Sequence, residues 1–120
     1  MPKLVHTRDG TIVQELILEV GTYTIGRRPS CDIQIDDVTV SGQHALVSVS
    51  PNEYMEGVWD IHIEDQGSTN GTIINGRRIK RHLFKHGEVA QIGTHELTLI
   101  DEGTRAFEET SVLLPDQKSE

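Results

Sequence analysis

Apolar and polar residues alternate in short runs along most of the chain, and no useful window carries the 3.6-residue period of an amphipathic helix. Residues 3–7 read as a first strand, closed by a turn at Asp9-Gly10. Residues 14–20 set Leu16, Leu18 and Val20 on one predicted face. Residues 22–26 and 32–35 follow, the second pairing Ile33 with Ile35. Residues 44–50 group Ala45, Val47 and Val49, and residues 58–65 group Trp59, Ile61 and Ile63. Beyond a Gly67–Gly71 loop come residues 72–74, a hairpin signal at Asn75-Gly76, and strands over 87–93 and 94–100. Short strands punctuated by Gly, Pro, Asn and Asp predict an all-β fold, an antiparallel β-sandwich of two sheets rather than a βαβ architecture. The alternation fades near Asp101, which predicts a domain over residues 1–101 and an acidic, flexible tail over 102–120.

Composition narrows the function. The chain has 120 residues and a net charge of -8, which fits one domain with a real core. That acidity argues against a nucleic-acid binder, whose affinity rests on neutralising phosphates. No apolar run reaches the ~20 residues of a membrane span, and the N-terminal stretch lacks the apolar centre of a signal peptide. The single cysteine, Cys31, forbids an intrachain disulfide and fits a reducing compartment, so a cytoplasmic location is expected. His82 and His86 stand four apart in a strand-rich segment, and His6, His62 and His95 have no partners at ligand spacing, so no metal or cofactor is expected. Charge is uneven: residues 77–86 hold five basic residues and no acidic one. This island reads as a solvated sheet edge, or as a landing strip for an acidic partner.

Three loops carry candidate chemistry. Gly26-Arg27 follows a strand, where the glycine admits close backbone approach and the guanidinium fork can grip two oxygens of one phosphate; Arg28 reads as an ordinary surface residue. Ser41 precedes a strand and offers a hydroxyl donor, with His44 three residues on, suited to holding the loop from a buried position. A nucleophilic Ser41 with His44 as base would need an acidic orienter and an oxyanion hole, and no Gly-x-Ser-x-Gly elbow surrounds it. Asp65 to Thr72, closed by Asn75-Gly76, is either turn chemistry or a phosphate cradle of exposed N–H groups; it lacks the Gly-Lys-Ser/Thr end of a nucleotide P-loop.

Together these motifs resemble the forkhead-associated (FHA) domain family. The likeness runs through Gly26-Arg27, Asp32-Ile33, Ile35-Asp36-Asp37, Val40-Ser41, His44-Ala45, Asp65, Gly67 to Thr72, Asn75-Gly76, Leu83, Gly87 and Ile92-Gly93. The resemblance implies a β-sandwich whose loops at one end bind phosphothreonine peptides, with no enzymatic activity. It implies that Arg27 and Ser41 contact the phosphate, Thr69 adds a polar contact, and Asn70 bonds the peptide backbone. Gly26, His44, Gly71 and Asn75 are then loop-bracing. One position departs from the family pattern: Gly42 stands where Arg or Asn often follows the serine, while Thr39 stands where the family can bear a basic side chain that reads a downstream acid. The expected partners are phosphothreonine proteins and a Ser/Thr protein kinase; the alternative is an interaction module of the same fold that binds without phosphate. Residues 107–112 resemble the phosphorylatable Glu-Thr-Thr-Ser-Val segment of small bacterial FHA regulators, making Thr110 a candidate phosphorylation site. The chain is then a monomer until phosphorylated and self-associates through its tail.

Overall fold

The computed structural model describes residues 2–102, so Thr110 and the rest of the tail lie outside the described residues. Among the described residues eleven strands form two sheets. They are β1 (Lys3–Arg8), β2 (Thr11–Ile17), β3 (Gly21–Gly26), β4 (Ile33–Gln34), β5 (Ala45–Pro51), β6 (Trp59–Asp65), β7 (Thr72–Ile74), β8 (Arg77–Ile79), β9 (Arg81–Leu83), β10 (Val89–Ile92) and β11 (His95–Ile100). The six-stranded sheet runs β2-β1-β11-β10-β7-β8, and the five-stranded sheet runs β4-β3-β5-β6-β9.

The sheets face each other because their inward positions are the alternate apolar ones. Val47 opposes Ile63 and Val49 opposes Ile61 in one sheet. Leu4 opposes Leu99 and Ala90 opposes Leu97 in the other. All are buried, joined in the core by Ile25, Ile33, Ile74 and Ile92, and by Ile35, Val40 and Phe84 from loops. Truncating one such side chain to Ala costs about 2–5 kcal/mol. Both predicted two-residue turns form: Asp9 and Gly10 (φ 51 and 79), and Asn75 and Gly76 (φ 53 and 75), take the left-handed values that suit a hairpin to the strand twist.

Two expectations are corrected. The second strand begins at Thr11 and ends at Ile17, and Val20 is exposed rather than sharing a face with buried Leu18. β2 is an edge strand and its ladder to β1 slips between His6 and Thr7, so the two-residue period does not carry through it. The expected antiparallel two-sheet sandwich forms, with one short parallel pair between β3 and β4. The strand over residues 32–35 shrinks to Ile33–Gln34, because Ile35 N–H turns back to the Gly26 carbonyl at 2.8 Å. The basic island supplies an edge strand to each sheet, β8 and β9, so its charges lie along both rims. Among the described residues no helix is long and apolar enough to cross a membrane.

Candidate functional site

Strand register gathers the loops. Ile25 at the end of β3 opposes Ala45 at the start of β5, which opposes Asp65 at the end of β6. The loops that follow β3, precede β5 and follow β6 therefore leave the sandwich at one end. They enclose an open cleft of about 290 Å³ lined by Arg27, Val38, Thr39, Val40, Ser41, Gly42, Thr69 and Asn70. All four residues expected to bind peptide line it. A larger groove of about 560 Å³ is lined by Asn75, His86, Glu88 and Glu96, and its two carboxylates make it hostile to an anion.

Backbone bonds hold the first two loops together. Arg27 N–H donates to the Ser41 carbonyl at 3.0 Å, and Arg28 N–H to that of Gly42 at 3.2 Å. This approach needs a glycine at position 26, since a Cβ there would collide with the Gly42 carbonyl. The Arg27 guanidinium has no hydrogen bond or ion pair among the described residues. Ser41 Oγ accepts the Thr69 N–H at 3.1 Å, which leaves its own proton available to an incoming acceptor. Asn70 Nδ2 donates to the Thr39 carbonyl at 2.9 Å, tying the third loop to the second.

His44 is fully buried between the loops: Nδ1 accepts the Ser41 N–H at 3.1 Å and Nε2 donates to the Gly71 carbonyl at 2.8 Å. With both ring nitrogens committed to backbone groups, neither is free to deprotonate Ser41. Gly71 has φ 85, and a Cβ there would lie 2.5 Å from Arg78 Nε. Asn75 stands apart, in the β7–β8 turn, with Nδ2 on Glu88 at 2.9 Å.

Asp65 is the frame of the third loop. One oxygen accepts the Gly67 and Ser68 N–H groups, each at 3.0 Å, and the other accepts Thr72 Oγ1 at 2.9 Å and Ser68 Oγ. Burial pushes this carboxyl up, but the Ser68 and Thr72 donors, with His44 nearby, outweigh it and hold the group below its ordinary range. The sequence places Asp65 at the head of a turn-forming run but does not mark it as the residue that braces the loop. Nor does it mark Arg78, whose Nη2 donates to the Ser68 carbonyl at 3.0 Å and to that of Thr69 at 3.3 Å. Inside a basic island that contact leaves no trace in sequence.

A second frame lies behind Thr39. Asp37 Oδ1 accepts the Thr39 N–H at 2.8 Å and Oγ1 at 2.6 Å, while Oδ2 accepts Thr94 Oγ1 at 3.0 Å and His95 Nε2 at 3.2 Å. The Thr39 bonds, then that of Thr94, depress this carboxyl far below its usual range. His95 Nδ1 meets His6 Nε2 at 2.7 Å, and His6 Nδ1 meets Gln14 Nε2 at 3.0 Å. Read in series, Gln14 donates to His6, His6 to His95, and His95 to Asp37, with both rings neutral.

A two-sheet sandwich presenting an unpaired Arg, a Ser hydroxyl and an Asn amide on three interlocked loops is built to hold an anionic ligand. The chain belongs to the FHA domain family, whose model matches residues 23–93. It is 36 % identical over 103 residues to an oxoglutarate dehydrogenase inhibitor of Corynebacterium diphtheriae, covering 86 % of this chain and 66 % of that protein. It is 32 % identical over 97 residues to the glycogen accumulation regulator GarA of Mycobacterium tuberculosis, covering 81 % of this chain and 56 % of GarA. The chain thus spans between half and two thirds of the length of these curated relatives. Among solved structures, the FHA domain of CT664 from Chlamydia trachomatis superposes with a TM-score of 0.72 at 32 % identity, covering 83 % of this chain and 96 % of that one. EmbR of Mycobacterium tuberculosis, solved in complex with a low-affinity phosphopeptide, superposes with a TM-score of 0.67 at 26 % identity, covering 82 % of this chain and 24 % of EmbR.

Proposed function

We propose that this chain is a non-enzymatic reader of phosphothreonine segments written by a Ser/Thr protein kinase, and that it works in the cytoplasm. The carrying observation is the unpaired Arg27 guanidinium lining one cleft with a Ser41 hydroxyl whose acceptor side is already taken by Thr69 N–H. Arg27 and Ser41 bind the phosphate, Thr69 adds a polar contact, and Asn70 bonds the peptide backbone. A phosphothreonine carries about -1.5 to -2 charges, which the chain's net charge of -8 repels at long range. Screening beyond ~8 Å leaves the local donors to decide. Two or three charge-assisted bonds of about 1.5–3 kcal/mol, with backbone bonds, support micromolar affinity, about -8 kcal/mol. Exposed Val38 on the cleft wall offers apolar surface to the threonine methyl. The phosphopeptide bound by EmbR and the regulatory names of the relatives support a regulatory rather than catalytic role.

The test is calorimetry with matched phosphothreonine, phosphoserine and unmodified peptide pools. Phosphothreonine is expected to bind at least fourfold tighter than phosphoserine, the worth of one buried methyl at about 0.8 kcal/mol. Arg27→Ala is expected to cost about 2–5 kcal/mol, moving micromolar binding toward millimolar, with an unchanged melting temperature. Equal binding of modified and unmodified pools would show instead a module that recognises partners without phosphate.

The same site is a receptor for the chain's own Thr110 once that residue is phosphorylated. β11 starts at His95, paired with Ile92 at the loop end, and delivers Ile100 to the opposite end about 17 Å away. Nine residues separate Ile100 from Thr110, a reach of at most about 35 Å when fully stretched. Crossing the length of β11 and turning back into the cleft uses much of this reach, which lowers the effective concentration in cis and favours docking in trans. Light scattering on protein phosphorylated at Thr110 is expected to show dimers or short chains that Arg27→Ala abolishes; a phosphorylated monomer that binds outside peptide normally refutes this.

A further inference from the structure

Two arginines follow β3, and the reading above uses only the first. Arg28 sits one step beyond the Arg27–Ser41 backbone bond, with its N–H on the Gly42 carbonyl at 3.2 Å. Its side chain occupies the place where a residue at position 42 would put its own. A Cβ built on Gly42 would lie 2.9 Å from Arg28 Nε, 3.4 Å from Cγ and 3.5 Å from Cδ. Gly42 is not among the glycines with positive φ, so the backbone does not demand glycine here, and its missing side chain leaves room for the Arg28 stem. Gly42 lines the cleft beside Arg27 and Ser41. Arg28 does not itself line that cleft, but its Nε packs against a residue that does, so the guanidinium lies next to the cleft wall. Among the described residues it has no hydrogen bond or ion pair. A guanidinium whose stem is laid over a glycine while its fork is unspent is pre-positioned for an oxyanion.

We propose that Arg28 is a second phosphate ligand of this site, reaching across Gly42 to share the phosphothreonine oxygens with Arg27 and Ser41. The inference rests on the phosphothreonine reading and deepens it. The glycine after the serine leaves the site's charge intact, because it opens the path for a cation from the neighbouring loop.

The experiment titrates a degenerate phosphothreonine peptide pool and its unphosphorylated counterpart into wild type, Arg28→Ala, Arg28→Lys and the double variant Arg28→Ala with Gly42→Arg. Arg28→Ala is expected to weaken phosphopeptide binding about tenfold, and Arg28→Lys, which keeps the charge and loses the fork, about threefold. The double variant places a guanidinium on position 42 in the space Arg28 vacates, and is expected to recover most of the loss. The Arg28→Ala defect is expected to shrink at high salt, where a charge contact is screened. Tight binding by wild type with Arg28→Ala within twofold of it overturns the inference and leaves the phosphothreonine reading standing. A defect equal at low and high salt, with a lowered melting temperature, makes Arg28 a loop prop and also overturns it. Failure of wild type to prefer the phosphorylated pool overturns the underlying reading, and this inference with it.

Discussion

Lowering the pH from 7 to 5 is expected to destabilise the fold through His6. This imidazole is 2 % exposed, wedged between Gln14 and His95. Burial, and then the neighbouring His95, push it down from 6.5 to about 4. The sign follows from which state takes the proton. In the unfolded chain His6 protonates near pH 6.5, while the native site refuses the proton until about pH 4. Above 6.5 neither form is charged and the group is neutral to stability. Below it each pH unit transfers up to about 1.4 kcal/mol to the unfolded state. From pH 6.5 to 5 that amounts to at most about 2 kcal/mol, and to about 1 kcal/mol once screening through the exposed Gln14 is allowed for. This window lies above the range where Asp37, Asp65 and Glu88, all depressed, begin to lose their own contribution on acidification. Half-buried His62 is also lowered and adds a slope of the same sign.

The variant His6→Gln isolates the effect, because its amide can donate to His95 Nδ1 and does not titrate. Urea unfolding followed by the fluorescence of Trp59, the sole tryptophan, at pH 7, 6 and 5 measures both proteins. His6→Gln is expected to be less stable than wild type at pH 7, and to lose about 1 kcal/mol less between pH 6.5 and 5. Parallel pH profiles for the two proteins would refute the assignment of this slope to His6.

Other variants test the loop frames. Asp65→Ala strands the buried Ser68 and Thr72 hydroxyls and is expected to cost about 2–4 kcal/mol of unfolding free energy along with most phosphopeptide affinity, measured by denaturation and calorimetry on one sample. Gly26→Ala forces apart the backbones of Gly26 and Gly42, and is expected to cost about 1–3 kcal/mol in the same denaturation assay. Arg78→Ala frees the Ser68 and Thr69 carbonyls at an exposed position, so stability is expected to change by under about 1 kcal/mol while phosphopeptide affinity falls several-fold.

The strands that read most plainly in the sequence are those with one face fully buried. β5, β6 and β11 keep strict alternation because every second side chain enters the core. β2 was misjudged because an edge strand tolerates Ile12, Val13 and Ile17 in the open, so its pattern reports no single face. β8 and β9 come from the basic island, which reads as a sheet edge, but its charges do not tell which sheet each strand joins. The short parallel pair of β3 and β4 is a product of tertiary closure and has no local signal. The cleft-lining residues were legible because Gly, Ser, Thr and Asn cluster where backbone must turn. The supports behind them were not. His6 and His95 lie 89 residues apart, and each alone looks like an unremarkable strand histidine.

These hidden supports decide how the site should be dissected. Asp65 fixes the loop bearing Thr69 and Asn70, while Asp37 fixes Thr39, whose carbonyl holds the Asn70 amide. Both carboxylates therefore lie beneath the proposed phosphate site, yet both are depressed by inward-pointing donors. Their charge is committed to holding loops in place before any ligand arrives. Loops fixed in advance lose less freedom on binding, so more of the phosphate contact appears as affinity. Removing a support must lower stability and affinity together, because the same bonds serve both. Removing a contact must lower affinity alone, because Arg27 and Arg28 spend no guanidinium bond on the free fold. The ratio of the two losses at each position therefore separates ligand contacts from frame, and it can be measured without knowing the natural partner.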